Sequence, residues 1–291
     1  MDSGRLELAR ARALQLDCVG GIGPEAVVAG CAVRSVLSFG REAGPTSALH
    51  GHDLAASRSA TGLLVGRERD VQASFQGAAL EYRIHGLGTL RADLDALIAM
   101  VDPAMEPVAA HEILFGPGLL LLLAVRGVFG IHASAIRVDG RCFVLPAPSG
   151  TGKSTFARLA VEAGAEGLTD DISPLLMQEG VLRLRPRYPQ LKWEDPWRTP
   201  DLDLPVTALV FLQRGGGTLA LQPLGAPAAT RLLIRDTVAA RLFPPTLLGA
   251  HLATMARMAQ SVPCWRLHWP EAPAGALADQ CARALSLFAR F

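Results

Sequence analysis

The stretch that decides the reading is Pro146-Ala147-Pro148-Ser149-Gly150-Thr151-Gly152-Lys153-Ser154-Thr155. It matches a phosphate-binding loop, GxxxxGK[ST], with Ala147 standing at the first glycine position. Three physical features make such a loop work. Gly150 and Gly152 let backbone N–H groups turn inward around phosphate oxygens. The N-terminus of a following helix adds its positive dipole end. Lys153 neutralises phosphate charge, and the Ser154 hydroxyl suits a Mg²⁺ ligand. Ser149, Thr151 and Thr155 complete the candidate nucleotide-binding set. The plain alternative is a Gly/Ser turn with an incidental lysine.

The context on both sides fits. Upstream, Ile131 to Val138 and Arg141 to Leu145 are apolar-rich runs separated only by Asp139-Gly140. An Asp-Gly pair between two strands predicts a hairpin, because both turn positions need φ > 0. Downstream, a helix is expected from Ser154 to about Ala163, stopped by Gly164. A short strand at Gly167 to Thr169 then meets Asp170-Asp171. Mg²⁺ bound to a nucleotide needs a carboxylate besides Ser154. The apolar strand expected at Val206 to Leu212 ends in Gln213-Arg214, so it offers none. The Asp170-Asp171 pair is the nearest candidate. One carboxylate can bind metal while the other accepts a proton from an attacking hydroxyl.

The rest of the chain is read more coarsely. A helix is expected at Leu6 to Leu16. Short strands are expected at Val33 to Phe39, Gly62 to Val65 and Leu80 to His85. Glu112 to Arg126 reads as a helix interrupted near Gly116-Pro117. Gln213 to Gly217 turns the Val206 strand into Thr218 to Leu221. Helices at Thr230 to Leu242 and Thr246 to Gln260 are split by Pro244-Pro245. A strand at Cys264 to Trp269 precedes a helix at about Gly275 to Ala289. The fold class expected is α/β: a P-loop core with a mixed sheet over 111–291, preceded by a smaller α+β or β-rich lobe over 1–110.

Composition bounds the partners. The 291 residues carry 28 Lys plus Arg against 27 Asp plus Glu, a net charge of +1. That balance argues against a nucleic-acid binder, which would show a basic excess. Mean hydropathy is +0.27. The longest apolar run, Leu119 to Val125, is far short of the ~20 residues a membrane helix needs. No secretory h-region opens the chain. The five cysteines contain no CxxC and fit reduced thiols in a cytoplasm.

The run Ile131-His132-Ala133-Ser134-Ala135-Ile136, the Asp-Gly turn, the phosphate loop and Thr169-Asp170-Asp171 together resemble the HPr serine kinase/phosphorylase group. That group shares its core with phosphoenolpyruvate carboxykinase. The resemblance is nearer to the HPr kinase-related branch, with its Pro-[AG]-Pro-Ser-Gly-Thr-Gly-Lys-Ser-Thr loop, and covers about residues 112 to 215. It implies a kinase that moves the γ-phosphate of ATP to a serine hydroxyl, with Mg²⁺. By position, Lys153 holds phosphates, Ser154 the metal, and Asp170 and Asp171 supply metal binding and the general base. His132 falls where the family has a histidine and is a further catalytic candidate. A homo-oligomer belongs to the family picture. The branch is similar to kinases found beside ribosomal-peptide maturation genes, including lasso-peptide clusters, whose acceptor is a precursor-peptide serine.

One departure limits the analogy. The family signature after the aspartates is missing, and Arg183, Arg185, Arg187, Lys192 and Arg214 replace it only by sign of charge. Arg187 and Arg214 are candidates to reach the γ-phosphate. The alternatives are a small-molecule kinase on the same core and a nucleotide-binding regulatory module without turnover. Two further features are weighed. His50-Gly51-His52-Asp53 lacks partners for a metal site. Tyr188 to Trp197 is a candidate substrate lip, while Trp265 and Trp269 are expected to pack.

Overall fold

The computed structural model describes residues 71–95, 98–102, 105, 109–110, 113–186, 203–215, 218–270 and 274–288, with the backbone of strands at 26–28, 31–35 and 52–54. The expected helix at 6–16, the strand at 62–65, and residues 187–200 with Arg187, Lys192 and the aromatic lip lie outside them. The fold is mixed α/β. Two compact units are present, 1–126 with 239–248, and 127–238 with 249–291.

The first unit carries a seven-stranded sheet. Its strands are β1 (Ala26–Val28), β2 (Cys31–Ser35), β3 (His52–Leu54), β4 (Val71–Gln76), β5 (Ala79–Ile84), β6 (Gly88–Asp93) and β7 (Ile98–Val101). The order is β1-β2-β7-β6-β5-β4-β3. Leu80 and Tyr82 of β5 and Leu90 and Ala92 of β6 are buried at alternate positions, as expected for strands covered on one face. The expected strand at Leu80 to His85 is β5. The interruption expected near Gly116-Pro117 is a π-turn, Leu114–Gly118, that contains Pro117. It leads into α1 (Leu119–Val125), whose Leu119 to Ala124 are all buried. A helix apolar on every side is a core element. Gly118 allows its approach to the sheet: an added Cβ would lie 3.4 Å from both Ala99 Cβ and Leu90 Cδ1. Among the described residues no helix is long and apolar enough to cross a membrane.

The second unit is built on a mixed eight-stranded sheet. It contains β8 (Val128–Val138), β9 (Arg141–Pro146), β10 (Glu166–Thr169), β11 (Ile172–Gln178), β12 (Val181–Leu184), β13 (Leu204–Arg214), β14 (Ala220–Pro223) and β15 (Cys264–Trp269). The helices are α2 (Lys153–Glu162), α3 (Ala226–Asp236), α4 (Pro245–Ser261) and α5 (Ala274–Phe288). Asp139 and Gly140 sit at φ 48° and 77°, and β8 and β9 pair antiparallel across them. β9 and β15 flank β13 in parallel. Ile136, Phe143, Leu145, Val210, Leu212, Leu267 and Trp269 from the sheet pack with Phe156 of α2 and Cys281, Ala284 and Phe288 of α5. Trp269 meets the Phe156 ring edge-on at 4.9 Å between centroids.

Two readings need correction here, and one hairpin went unread. The β11–β12 hairpin was not foreseen; its Glu179-Gly180 turn has φ 51° and 79°. The strand after Gly215 is not a hairpin partner of β13. It is β14, which pairs with β15, and β15 lies between the two. The helix expected at Thr230 to Leu242 instead runs from Ala226 to Asp236, with a separate 3₁₀ turn at Ala240–Leu242. Pro at its first turn sets the early start. Thr237 ends it by leaving helical geometry to bridge Ile131 of β8.

Candidate active site

The site is organised by β8. Its two ends use the same edge for different partners: β10 pairs with Ala135–Arg137, and β11 pairs with Val128–His132. Asp170 and Asp171 are the link between them. Ala133 N–H still bonds to the Asp171 carbonyl at 3.1 Å, so the link stays in register with β8. A regular strand would send the two adjacent carboxylates to opposite faces. Here Asp171 has φ 74°. That left-handed residue turns its side chain to the same face as Asp170. The hydrogen bonds show the result. Ser134 Oγ donates to Asp170 Oδ1 at 2.7 Å, and His132 Nε2 lies 3.1 Å from Asp171 Oδ1. His132 and Ser134 are two apart on β8 and therefore share a face. Asp and Asn tolerate αL better than other non-glycine residues, which suits Asp at this position.

The loop meets this face from β9. Ala147, fully buried, extends the hairpin by donating its N–H to the His132 carbonyl at 3.3 Å. Thr151 then folds back, and its hydroxyl donates to the Pro148 carbonyl at 2.8 Å. Gly150 and Gly152 have φ 80° and 90°, and a Cβ at either would meet nothing within 4 Å. What these positions require is therefore the positive φ itself. Gly152 caps α2, and its carbonyl accepts from Phe156 N–H at 2.8 Å. The first N–H groups of α2 have no acceptor within the helix.

Lys153 is the first residue of α2, and it is 5% exposed. Its Nζ lies 3.0 Å from His132 Nε2. The same ring nitrogen therefore faces both the lysine and the Asp171 carboxylate. One nitrogen cannot accept from Lys153 and donate to Asp171 at once. The contacts belong to two proton arrangements, a bare Nε2 facing the ammonium or an Nε2–H facing the carboxylate.

The structure thus brings His132, Lys153, Asp170 and Asp171 together. Ser154 and Thr155 lie on the first turn of α2, and Ser149, Gly150, Thr151 and Gly152 form the loop before it. Ser134, fully buried, is a member the sequence reading quoted without assigning a role. The signal was available: it stands two residues from His132 on a strand, so it had to share its face. The donor set is a Ser154 hydroxyl and two carboxylates, all hard oxygens, which fits Mg²⁺. Among the described residues no group of three or more His, Cys, Asp or Glu is placed to hold a metal ion. His52 and Asp53 lie on β3, with His50 and Gly51 outside the described residues.

Arg214, at the end of β13, lines a cleft beside loop residues 148–151. Arg185 is tied to Asp203 at 2.9 Å. Among the described residues, Cys142, Cys264 and Cys281 are buried free thiols. Burial pushes Cys142 and Cys281 up to about 12 and Cys264 to about 11, so all three stay protonated.

No family model matches the sequence, and no curated protein matches it. Among solved structures the chain is similar to the Hpr(Ser) kinase/phosphatase from Coxiella burnetii. The identity is 9% and the TM-score 0.30, over 56% of this chain and 99% of that one. The likeness is distant, and the chemistry of the site rests on its own geometry.

Proposed function

We propose that the second unit is an ATP-dependent kinase that transfers the γ-phosphate to a serine hydroxyl of a protein or peptide. The carrying observation is that His132 Nε2 lies 3.0 Å from Lys153 Nζ and 3.1 Å from Asp171 Oδ1, beside the glycine loop that leads into α2. The kinase reading also draws on the sequence resemblance to the HPr kinase-related branch. A precursor-peptide acceptor is part of that reading.

The loop N–H groups and Lys153 bind the phosphates and hold them in line for attack. Ser154 with Asp170 and Asp171 would hold Mg²⁺, which supplies neutralisation of charge on the phosphates. Ser134 fixes the Asp170 carboxylate in one orientation. One carboxylate of the pair serves the metal while the other accepts the serine proton. The serine oxygen bonds to the γ-phosphorus, the bond from that phosphorus to the β,γ-bridging oxygen breaks, and ADP leaves with the electron pair. When phosphate draws the lysine ammonium away from His132, the ring proton can move from Nδ1 to Nε2 through solvent, and Nε2–H then donates to Asp171 and keeps it oriented.

The test is transfer of labelled γ-phosphate from Mg²⁺-ATP to serine-bearing acceptors. Lys153→Ala and the double change Asp170→Asn/Asp171→Asn are expected to reduce transfer at least ~100-fold, in the range of a lost general base or phosphate clamp. Full activity in either variant refutes the assignment.

A further inference from the structure

The two carboxylates owe their common face to a turn, and a pair of buried hydroxyls brackets it. Ile172 N–H donates to the Asp170 carbonyl at 3.0 Å, around Asp171 at φ 74°. A hydrogen bond closed over one residue of positive φ makes a γ-turn of the rare, strained form. Strain of this kind persists only where the surrounding groups hold it.

Thr169 stands directly before the acid pair, and Ser173 stands two residues after Asp171. Both are fully buried. Their side-chain oxygens lie 2.6 Å apart. Four residues of extended strand cover about 13 Å, a gap that side chains this short do not bridge. The contact therefore exists because the chain folds back at Asp171, and opening the turn to strand geometry would break it.

The direction of the bonds is fixed. Ser173 Oγ–H donates to the Ala133 carbonyl at 2.9 Å. A hydroxyl has one proton to give, so Thr169 Oγ1–H is the donor to Ser173. Ala133 is the β8 residue between His132 and Ser134, and its N–H meets the Asp171 carbonyl at 3.1 Å. Both backbone groups of one β8 residue thus hold the link, and the hydroxyl relay ties the two ends of the turn to it. Every buried hydroxyl needs a partner, so bonding alone decides nothing. What distinguishes Thr169 and Ser173 is that they are bonded to each other across the acid pair.

We propose that Thr169 and Ser173 are positioning residues, whose hydrogen-bonded pair keeps Asp170 and Asp171 on one face. They lie too deep to touch a substrate and act through the turn alone. Their effect on rate rests on the kinase reading of the site.

The experiment uses the full chain. The difference in stability between Asp171→Gly and Asp171→Ala gauges the turn, since positive φ favours Gly and ordinary strand favours Ala. Melting temperatures of both variants are compared in the wild-type, Ser173→Ala and Thr169→Val backgrounds. Gly is expected to be the more stable with the hydroxyl pair present. Without it the turn relaxes, and the preference should vanish or reverse. Thr169→Val keeps the volume and removes only the bond donated to Ser173, so it serves where Ser173→Ala does not fold. With Asp171 in place, Thr169→Val should lower kcat for labelled-phosphate transfer about tenfold, the order of one hydrogen bond, and Thr169→Ser should stay within about twofold of wild type. A Gly preference of equal size in every background overturns the proposal. So does wild-type transfer by Thr169→Val, or an equal loss in Thr169→Ser. A preference that vanishes with the hydroxyl pair, in a chain that phosphorylates no acceptor, supports the clamp and refutes the kinase reading, so the two fail separately.

Discussion

Asp171 allows the backbone geometry of the site to be tested by the sign of one difference. Its φ of 74° places a buried side chain in the left-handed region. At an ordinary strand position Ala is more stable than Gly, by about 0.4–1 kcal/mol, because it stiffens the unfolded chain. In αL an L-side chain loses about 1–2 kcal/mol. The balance at Asp171 therefore favours Gly over Ala by roughly 1 kcal/mol. For a unit of this size that is about 2–4 °C in melting temperature. Asp171→Asn should lie near Asp171→Gly or above it, since Asn tolerates αL and retains a side chain of similar shape. All three variants should be inactive in phosphate transfer, because each removes the carboxylate. Calorimetry and labelled-phosphate transfer on the same preparations give both readouts. Ala more stable than Gly would refute the left-handed turn that puts both aspartates on one face. Transfer retained by Asn would refute the role of the carboxylate.

Two other expectations follow from single contacts. Ser134→Ala removes the hydroxyl that donates to Asp170 at 2.7 Å. A hydrogen bond to a charged group contributes about 1.5–3 kcal/mol, so transfer should fall roughly 10- to 100-fold, with the fold kept by circular dichroism. His251, 2% exposed, is held below the ordinary histidine range by burial. The hydroxyl of Thr237 donates to Leu233 O at 2.8 Å, so His251 Nε2, 2.9 Å away, must donate to Thr237. With the folded pKa below the unfolded one, the unfolded chain binds the extra proton. Stability is then complete above about pH 6.5 and declines as pH falls from there toward the depressed folded value. Chemical denaturation across pH 5–8 should show this slope, and His251→Gln should flatten it.

The parts of the fold visible in the sequence are those fixed by local chemistry. Asp139-Gly140 announced its hairpin because its residue types suit φ > 0. Gly164, at φ 99°, ended α2 where a glycine is expected to. The β11–β12 turn has the same left-handed pair but begins with Glu179, which gives no such signal. Pro174 inside β11 hid the strand further. The place of β15 between β13 and β14 was not legible, since adjacency in a sheet is not adjacency in the chain. The end of α3 depended on a bridge from Thr237 to Ile131, more than a hundred residues away. In the site, residue types and spacing singled out Lys153, Asp170 and Asp171, and the family resemblance added His132. The φ of Asp171, which turns two adjacent acids to one face, was not among the things they could tell.

The hairpin and its neighbours also bear on how the protein reaches its folded state. The Lys153–His132 contact closes 21 residues of chain, and the His132–Asp171 contact closes 39. Loop-closure entropy rises with such spans, and non-local pairing slows folding. The polar line can therefore assemble within one continuous segment running from β8 to β11. The cleft beside the phosphate loop cannot, because it draws on loop residue 148 and on Arg266. Partial unfolding that releases β15 would dismantle the cleft and leave the His132 contacts standing.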